Sequence, residues 1–266
     1  MKNLPQASLI MSTYNRVDAL ELCLLSAFQQ AHLPSEIIVA DDGSTESTRL
    51  LVERLQKQSP VPLLHVWHAD EGFQLAKIRN KAVAKSQFEY VISIDADQIL
   101  HPCFVQDHLS ASRKGVFLQG HRVLLDAPVS EEVLQEKRIS FSILEEGLSN
   151  KKNAFRALLL RDIFKGAHKR LKGVRGCNMS FWKEDLRKVN GFNEAFVGWG
   201  REDSELVIRL YNSGILRSDL YFSAIVYHLF HIENSKKNLL SNDKELEQAL
   251  LEKRTYCKEG LDQYEY

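Results

Sequence analysis

The chain has 266 residues, 44% of them hydrophobic, and thirty-five basic residues balance thirty-five acidic ones. That length suits one large α/β domain or two small ones packed together. The charge balance leaves no global field to attract nucleic acid or an anionic membrane, so a charged ligand must be held by local groups.

The opening stretch, MKNLPQASLIMSTYN, carries one lysine and an apolar run broken by Ser12 and Thr13. It is too short for a signal peptide, and no 18-residue apolar span follows, so no transmembrane segment is expected. Four scattered cysteines (Cys23, Cys103, Cys177, Cys257), with no CxxC pair, argue against a zinc ribbon or a disulfide scaffold. A cytoplasmic protein is expected.

ASLIMSTYN reads as a buried strand, and RVDALELCLLSAFQQA follows it with apolar residues at helical spacing. SEIIVADDGS is a second strand, STESTRLLVERLQKQ a helix with Ser and Thr capping candidates, VPLLHVWH a third strand and GFQLAKIRNKAVAKS a third helix. YVISID is the fourth strand. Strands alternating with helices predict an α/β fold, a mostly parallel Rossmann-like sheet covered on both faces. In such sheets ligands sit at the carboxyl ends of the strands, and those ends here read STYN, DDGS, HADEG and DADQ. GVFLQGHRVLL predicts another strand. From Pro128 to Leu171 the chain reads as helical and highly charged. A strand, a helix, a Gly-rich loop and a second helix follow, then a last strand in FSAIVYHLFH and a charged helical tail. The division expected is one continuous domain in three parts: residues 1–125, a helical charged insertion over 126–170, and 171–266.

Asp95 and Asp97 end the fourth strand one residue apart. Residues i and i+2 of a strand point the same way, so both carboxylates can face one ligand. They repel unless neutralised, and oxygen donors suit Mg²⁺ or Mn²⁺ bridging to phosphate. Asp41 and Asp42 close the second strand, where an Asp-Gly turn and a nucleotide contact are compatible readings. Lys77 and Arg79 diverge by about 200° on a helix. Arg79 with Asn80 is taken as the site-facing pair and Lys77 as the solvent residue.

In NGFNEAFVGWGREDSEL, Gly198 and Gly200 frame Trp199, whose flat ring suits a sugar face. Glu202 and Asp203 follow at a helix start, where the dipole alone favours acids, but this turn would also present a carboxylate to an acceptor hydroxyl. His228 and His231 fall on opposite faces if both are extended, so at most one is expected to join the Asp pair. GxxxxGK[ST], GxGxxG, GxSxG and HExxH are all missing, against P-loop, dinucleotide, serine-hydrolase and zincin chemistry.

With these residues in hand, the chain resembles family 2 glycosyltransferases of the GT-A fold, from SLIMSTYNR through IIVADDGSTESTRLL and LAKIRNKAVAKS to YVISIDADQIL. The block RGCNMSFWKEDLRKVNGFNEAFVGWGREDSEL is similar to the carboxyl-terminal domain shared by galactosyltransferases and bacterial polysaccharide polymerases. The resemblance implies a metal-dependent inverting transfer from a UDP-sugar to a saccharide or lipid-linked saccharide acceptor, in bacterial surface polysaccharide synthesis. It implies that Thr13, Tyr14, Arg16 and Asp42 line the uridine pocket, with Arg79 also on the donor side, and that Asp95 meets the ribose or the metal. Asp97 and His228 would bind Mn²⁺ (or Mg²⁺), Trp199 and Gly200 would form the acceptor platform, Asp203 would be the general base and Glu202 a hydroxyl-binding neighbour. Arg201 departs from the glycine common at its position. No nucleic-acid partner is expected, and peripheral contact with a membrane stays open. A sugar-nucleotide nucleotidyltransferase and a non-catalytic sugar-binding module are the competing readings. The first lacks a glycine-rich basic loop after the first strand, and the second should have lost one of the acids.

Overall fold

The computed structural model describes residues 4–164, 166–232 and 235–265. β1 (Ala7–Thr13) leads into α1 (Val17–Phe28), β2 (Glu36–Asp41) into α2 (Glu46–Gln56), and β3 (Leu63–Trp67) into α3 (Leu75–Lys85), before β4 (Tyr90–Asp95). β1 and β2 are buried along their whole length and β4 up to Asp95. Burial on both faces is why these strands read as unbroken apolar runs, and it goes with parallel pairing between helical layers. β1 pairs in parallel with β2 and β4, and β2 with β3. The register levels the strand ends: Ser12 lies beside Asp95, Thr13 beside Asp41, and Asp41 beside Trp67.

β5 (Gln98–Leu100), α4 (Phe104–Ala111), β6 (Val116–Gln119), β7 (Arg122–Leu125), α5 (Ala127–Glu136), β8 (Leu148–Ser149), α6 (Leu158–Phe164) and β9 (Ala167–His168) come next. β10 (Asn178–Trp182), α7 (Lys183–Val189), α8 (Glu202–Asn212), β11 (Leu216–Asp219), β12 (Val226–His228) and α9 (Leu239–Leu251) complete the order. Eight strands form the main sheet, β3-β2-β1-β4-β10-β6-β11-β9, and four form a second, β5-β12-β7-β8. Antiparallel β10 couples the parallel first half to the rest. One apolar cluster lies on each side of the main sheet, and a third under the small one. Among the described residues no helix is long and apolar enough to cross a membrane.

Two expectations change. GVFLQGHRVLL is two strands, β6 and β7, that part at Gly120 and His121 into different sheets. The stretch from Pro128 to Leu171 is not helical throughout. α5 starts well, with Asp126 accepting the Val129 N–H at 3.0 Å and Pro128 in its first turn, but stops at left-handed Lys137. Beyond it the chain supplies β8 to the small sheet and β9 to the edge of the large one. Charge at helical spacing was a poor guide because the segment's order comes from those edges.

Candidate active site

Asp97 lies in the tight turn between β4 and β5. β12 runs antiparallel to β5 with His228 opposite Gln98, and the Leu229 N–H bonds the Asp97 carbonyl at 3.0 Å. That pairing carries His228 to the carboxylate: Nε2 lies 3.5 Å from Asp97 Oδ2. Strand β12 ends there, and the chain beyond it brings His231 Nε2 to 3.1 Å of the same oxygen. The expectation that only one histidine faces the site therefore fails, because strand β12 ends at His228. Donor atoms of Asp97, His228 and His231 all lie within 4.8 Å of one another. Asp97 Oδ1 is buried and finds no hydrogen-bond partner among the described residues. Burial pushes the Asp97 carboxyl up, but the hydrogen bond from His231, with the electrostatic pull of the surrounding groups, outweighs it and leaves the group below its usual range. Burial brings His228 down to about 4, so it is neutral near pH 7, whereas the Asp97 hydrogen bond raises His231.

Asp95 stands outside that cluster. Its Oδ1 accepts from Arg79 Nη2 at 2.7 Å, and its recessed position raises its pKa against the pull of that guanidinium. Arg79 is the largest revision. It does face the strand ends, but it is only 1% exposed, bonded through Nε to Ser12 Oγ at 3.2 Å and through Nη1 to Glu202 at 3.5 Å. A guanidinium so occupied braces the site's acids and is not open to a donor phosphate. Asn80 is buried against Phe192 and Glu194, so the expected Arg79–Asn80 pair does not form one surface. Lys77 lies outside and pairs with Glu71, as expected.

Around β1 and β2, Thr13 Oγ1 is buried with no hydrogen-bond partner among the described residues, and exposed Tyr14 donates to Asp70 at 2.9 Å. Arg16 stands at the start of α1. Asp42 is buried, 2.7 Å from His68 Nε2, and accepts the Gln74 N–H at 2.9 Å where α3 begins. Burial raises its pKa in spite of those donors.

Across the crevice, α8 begins with Glu202 and Asp203. Asp203 Oδ2 accepts the Gly176 N–H at 2.8 Å, and Oδ1 accepts from the Ser204 N–H and hydroxyl. Gly176 permits this approach, since a Cβ there would meet Arg79 Nη1 at 2.9 Å. Glu202 is raised to about 7, first by burial and then by the Asp203 charge. Trp199, 36% exposed, is flanked by two glycines with left-handed φ, and Lys236 Nζ lies 5.4 Å from its ring centre. The loop is pinned by the Gly198 N–H to the Phe73 carbonyl and by Asn238 and Asn242 of the tail to the carbonyls of Val197 and Gly200. Arg201 takes φ +79°, the conformation that makes glycine the natural residue there.

Sequence reasoning passed over His68, Gly176, His231 as a companion to His228, and Arg122. The charge of Arg122, at the start of β7, bears on both Asp95 and His228. The HADEG cluster was a signal for His68. Nothing in the local sequence signals Gly176.

The chain matches the family model described as glycosyl transferase family 2 over residues 8–160, and that described as the N-terminal domain of galactosyltransferase over residues 164–232. It is 28% identical over 225 residues to a chondroitin synthase of Pasteurella multocida, covering 78% of this chain and 23% of that protein. It is 28% identical over 238 residues to a chondroitin synthase of Escherichia coli, covering 83% and 34%. The chain thus spans about a quarter to a third of the length of these curated relatives. Among solved structures, GalNAc-T7 with UDP, GalNAc and Mn²⁺ aligns with a TM-score of 0.68 at 15% identity, over 94% of this chain and 48% of that one. Staphylococcus aureus TarS 1–349 in complex with UDP-GlcNAc aligns at 0.64 and 16% identity, over 97% and 69%. These likenesses show the GT-A fold.

Proposed function

The chain belongs to glycosyl transferase family 2, and on that premise we propose that it transfers a sugar from a UDP-sugar to a hydroxyl of a saccharide acceptor, free or lipid-linked, with inversion. The observation that carries the reading is the meeting of Asp97, His228 and His231 in one cluster, with Arg79 joining the neighbouring strand-end acid Asp95 to Glu202 at the start of α8. The relatives named as chondroitin synthases support a role in bacterial surface polysaccharide synthesis. Four free cysteines suit a cytoplasmic setting.

The donor set fits a divalent cation: a buried carboxylate with an unpartnered oxygen, one neutral imidazole and a second beside it. Two nitrogens with a carboxylate favour Mn²⁺ over Mg²⁺. Held by Asp97, His228 and His231, such an ion would supply positive charge to offset the diphosphate as the sugar–phosphate bond breaks. Thr13, Tyr14, Arg16 and Asp42 would bind the uridine, with Asp95 on the ribose side. Arg79 keeps Asp95 and Glu202 in place and balances their charge. Trp199 and Gly200 would seat the acceptor ring. Asp203, oriented by Gly176 and Ser204, would take the acceptor hydroxyl's proton while that oxygen bonds to the anomeric carbon and UDP leaves from the opposite face with the bonding electrons. Glu202 would hold a neighbouring hydroxyl. A second reading makes Glu202 the base, favoured because both Asp203 oxygens already accept protein hydrogen bonds.

The test is a panel of UDP-sugars assayed for Mn²⁺-dependent hydrolysis and transfer. Asp97→Asn is expected to lose donor turnover by about a thousandfold. Asp203→Asn should keep donor binding and lose transfer. If Glu202→Gln alone stops transfer, the second reading replaces the first. If Asp97→Asn and Asp203→Asn both transfer normally, the assignment is wrong.

A further inference from the structure

Residues 151–175 carry nine lysines and arginines against a single acidic residue, Asp162, in a chain whose charges balance overall. Within that stretch α6 buries only Arg161 and turns Leu158, Leu159, Leu160, Ile163 and Phe164 to solvent, Leu159 at 85% and Ile163 at 71% exposed. No other described helix leaves more than three large apolar side chains exposed. The patch continues into a second segment of chain. Phe164 packs 6.3 Å from Tyr221 and 6.0 Å from Phe222, and Phe155 lies 6.2 Å from Phe222. A shallow recess lined by Ile163, Phe164, His168, Arg170 and Tyr221, with Asp219 paired to His168 at its floor, brings apolar and basic groups together. Lys152, Lys169, Arg170, Lys172 and Arg175 are exposed along the stretch.

The patch is rooted. Arg156 points inward, bonding the buried carboxylate of Asp107 at 2.7 Å, and Arg161 donates to Ser110 Oγ at 2.8 Å. The Ala157 N–H bonds the Phe222 carbonyl at 2.9 Å. These anchors hold the aliphatic row outward. Contiguous exposed apolar surface of this kind marks an interaction site.

Three occupants can be weighed. A saccharide is recognised by aromatic faces and hydroxyl partners; rings border this patch in Phe155, Phe164 and Tyr221, but its most exposed part is Leu159 and Ile163, which supply neither. A second copy in a twofold dimer would set the same patch against itself, cation against cation. An anionic lipid surface satisfies both halves: acyl chains take the leucines, and headgroups take the lysines and arginines. We propose that α6, with Phe155 and Tyr221 and the basic residues around them, docks the protein on an anionic phospholipid surface. Tyr221 stacks on His121 at 4.7 Å, and Gly176, next to Arg175, bonds Asp203. Docking would therefore set the acceptor side of the crevice beside the bilayer, although the docking itself does not depend on the proposed reaction.

The experiment is co-sedimentation of the whole chain with vesicles of phosphatidylglycerol and phosphatidylcholine, or of phosphatidylcholine alone, alongside light scattering for oligomeric state. Binding to the anionic vesicles is expected, weakening as salt rises. The double variant Leu159→Ser, Ile163→Ser should weaken it at least about tenfold with an unchanged melting temperature. Lys169→Glu with Arg170→Glu should weaken it as well, which keeps the test valid if the serine variant folds poorly. The proposal is overturned by equal binding to both vesicle types or by binding to neither. It is equally overturned if the serine variant merely breaks up a dimer, or if the protein retains a soluble polyanionic saccharide such as heparin while ignoring vesicles.

Discussion

Arg79 and Arg209 are both buried guanidinium groups bonded to carboxylates, yet they join different things. Arg209 lies in α8 and bonds Glu205 of the same helix through Nε and Nη2, at 2.8 and 2.7 Å, and the carbonyls of Val189 and Gly191 through Nη1. Both side chains of that pair are fully buried, so nothing is left over for a ligand. Arg79 lies in α3 and reaches Ser12 on β1, Asp95 on β4 and Glu202 on α8. Its acids keep an open side: Asp95 is 32% exposed at its side chain and Glu202 12%. A buried arginine whose partners are near in sequence and fully enclosed is a joint in the fold. One that gathers partly open carboxylates from distant segments balances charge in a site.

The largest expected effects test that contrast directly. Arg209→Met should cost about 3–5 kcal/mol in urea melts, since it leaves a fully buried carboxylate charge uncompensated, and Arg79→Met should cost less, because Asp95 keeps part of its side chain in solvent and Glu202 can hold a proton. They should part in activity: transfer per folded molecule falls by about a hundredfold for Arg79→Met and stays near the parent for Arg209→Met. Equal losses would erase the distinction.

Glu202→Gln gives a smaller effect with a sign. Folded Glu202 keeps its proton up to about 7, whereas the ordinary value is 4.5. The native state therefore binds more protons between those values, and this group's contribution to stability falls as pH rises through that window. The glutamine variant should match the parent at acid pH and exceed it by on the order of 2 kcal/mol above about pH 8, read from thermal melts across pH. A constant difference would mean that Glu202 ionises normally.

Arg201 supplies an exposed third case. Its left-handed φ costs about 1 kcal/mol, and its ion pair with Asp243 at 2.5 Å is half-exposed and worth about 0–1 kcal/mol. Arg201→Gly should shift stability by less than about 1 kcal/mol and leave the Trp199 loop working, measured by melting and by acceptor KM. A large loss would show that the pair with α9 holds the loop.

Legibility followed the same physics. β1, β2 and β4 were readable because burial on two faces leaves continuous apolar runs. β11 was not: LRSD is a buried strand whose Arg217 and Asp219 neutralise each other at 2.6 Å, so its polarity hid it. Helical angle told that Lys77 and Arg79 point apart, and Arg79 does turn toward the strand ends. It could not tell that the guanidinium would be used up by Ser12, Asp95 and Glu202, because those partners lie 67, 16 and 123 residues away. The leucines of α6 sit in a segment whose composition reads as a charged helix, and composition does not say which side chains stay exposed.

Taken alone, the chain determined its alternating elements, the acids ending β2 and β4, the Trp199 turn and the family, all properties of local spacing and motif order. Only the tertiary structure decided that His231 joins His228 at Asp97, that Gly176 anchors Asp203, and that Arg79 braces the acids without lining an open donor pocket. Those meetings depend on β12 pairing with β5 and on Arg79 of α3 reaching Glu202 at the start of α8. Such contacts link residues far apart in the chain, and local spacing carries no record of them.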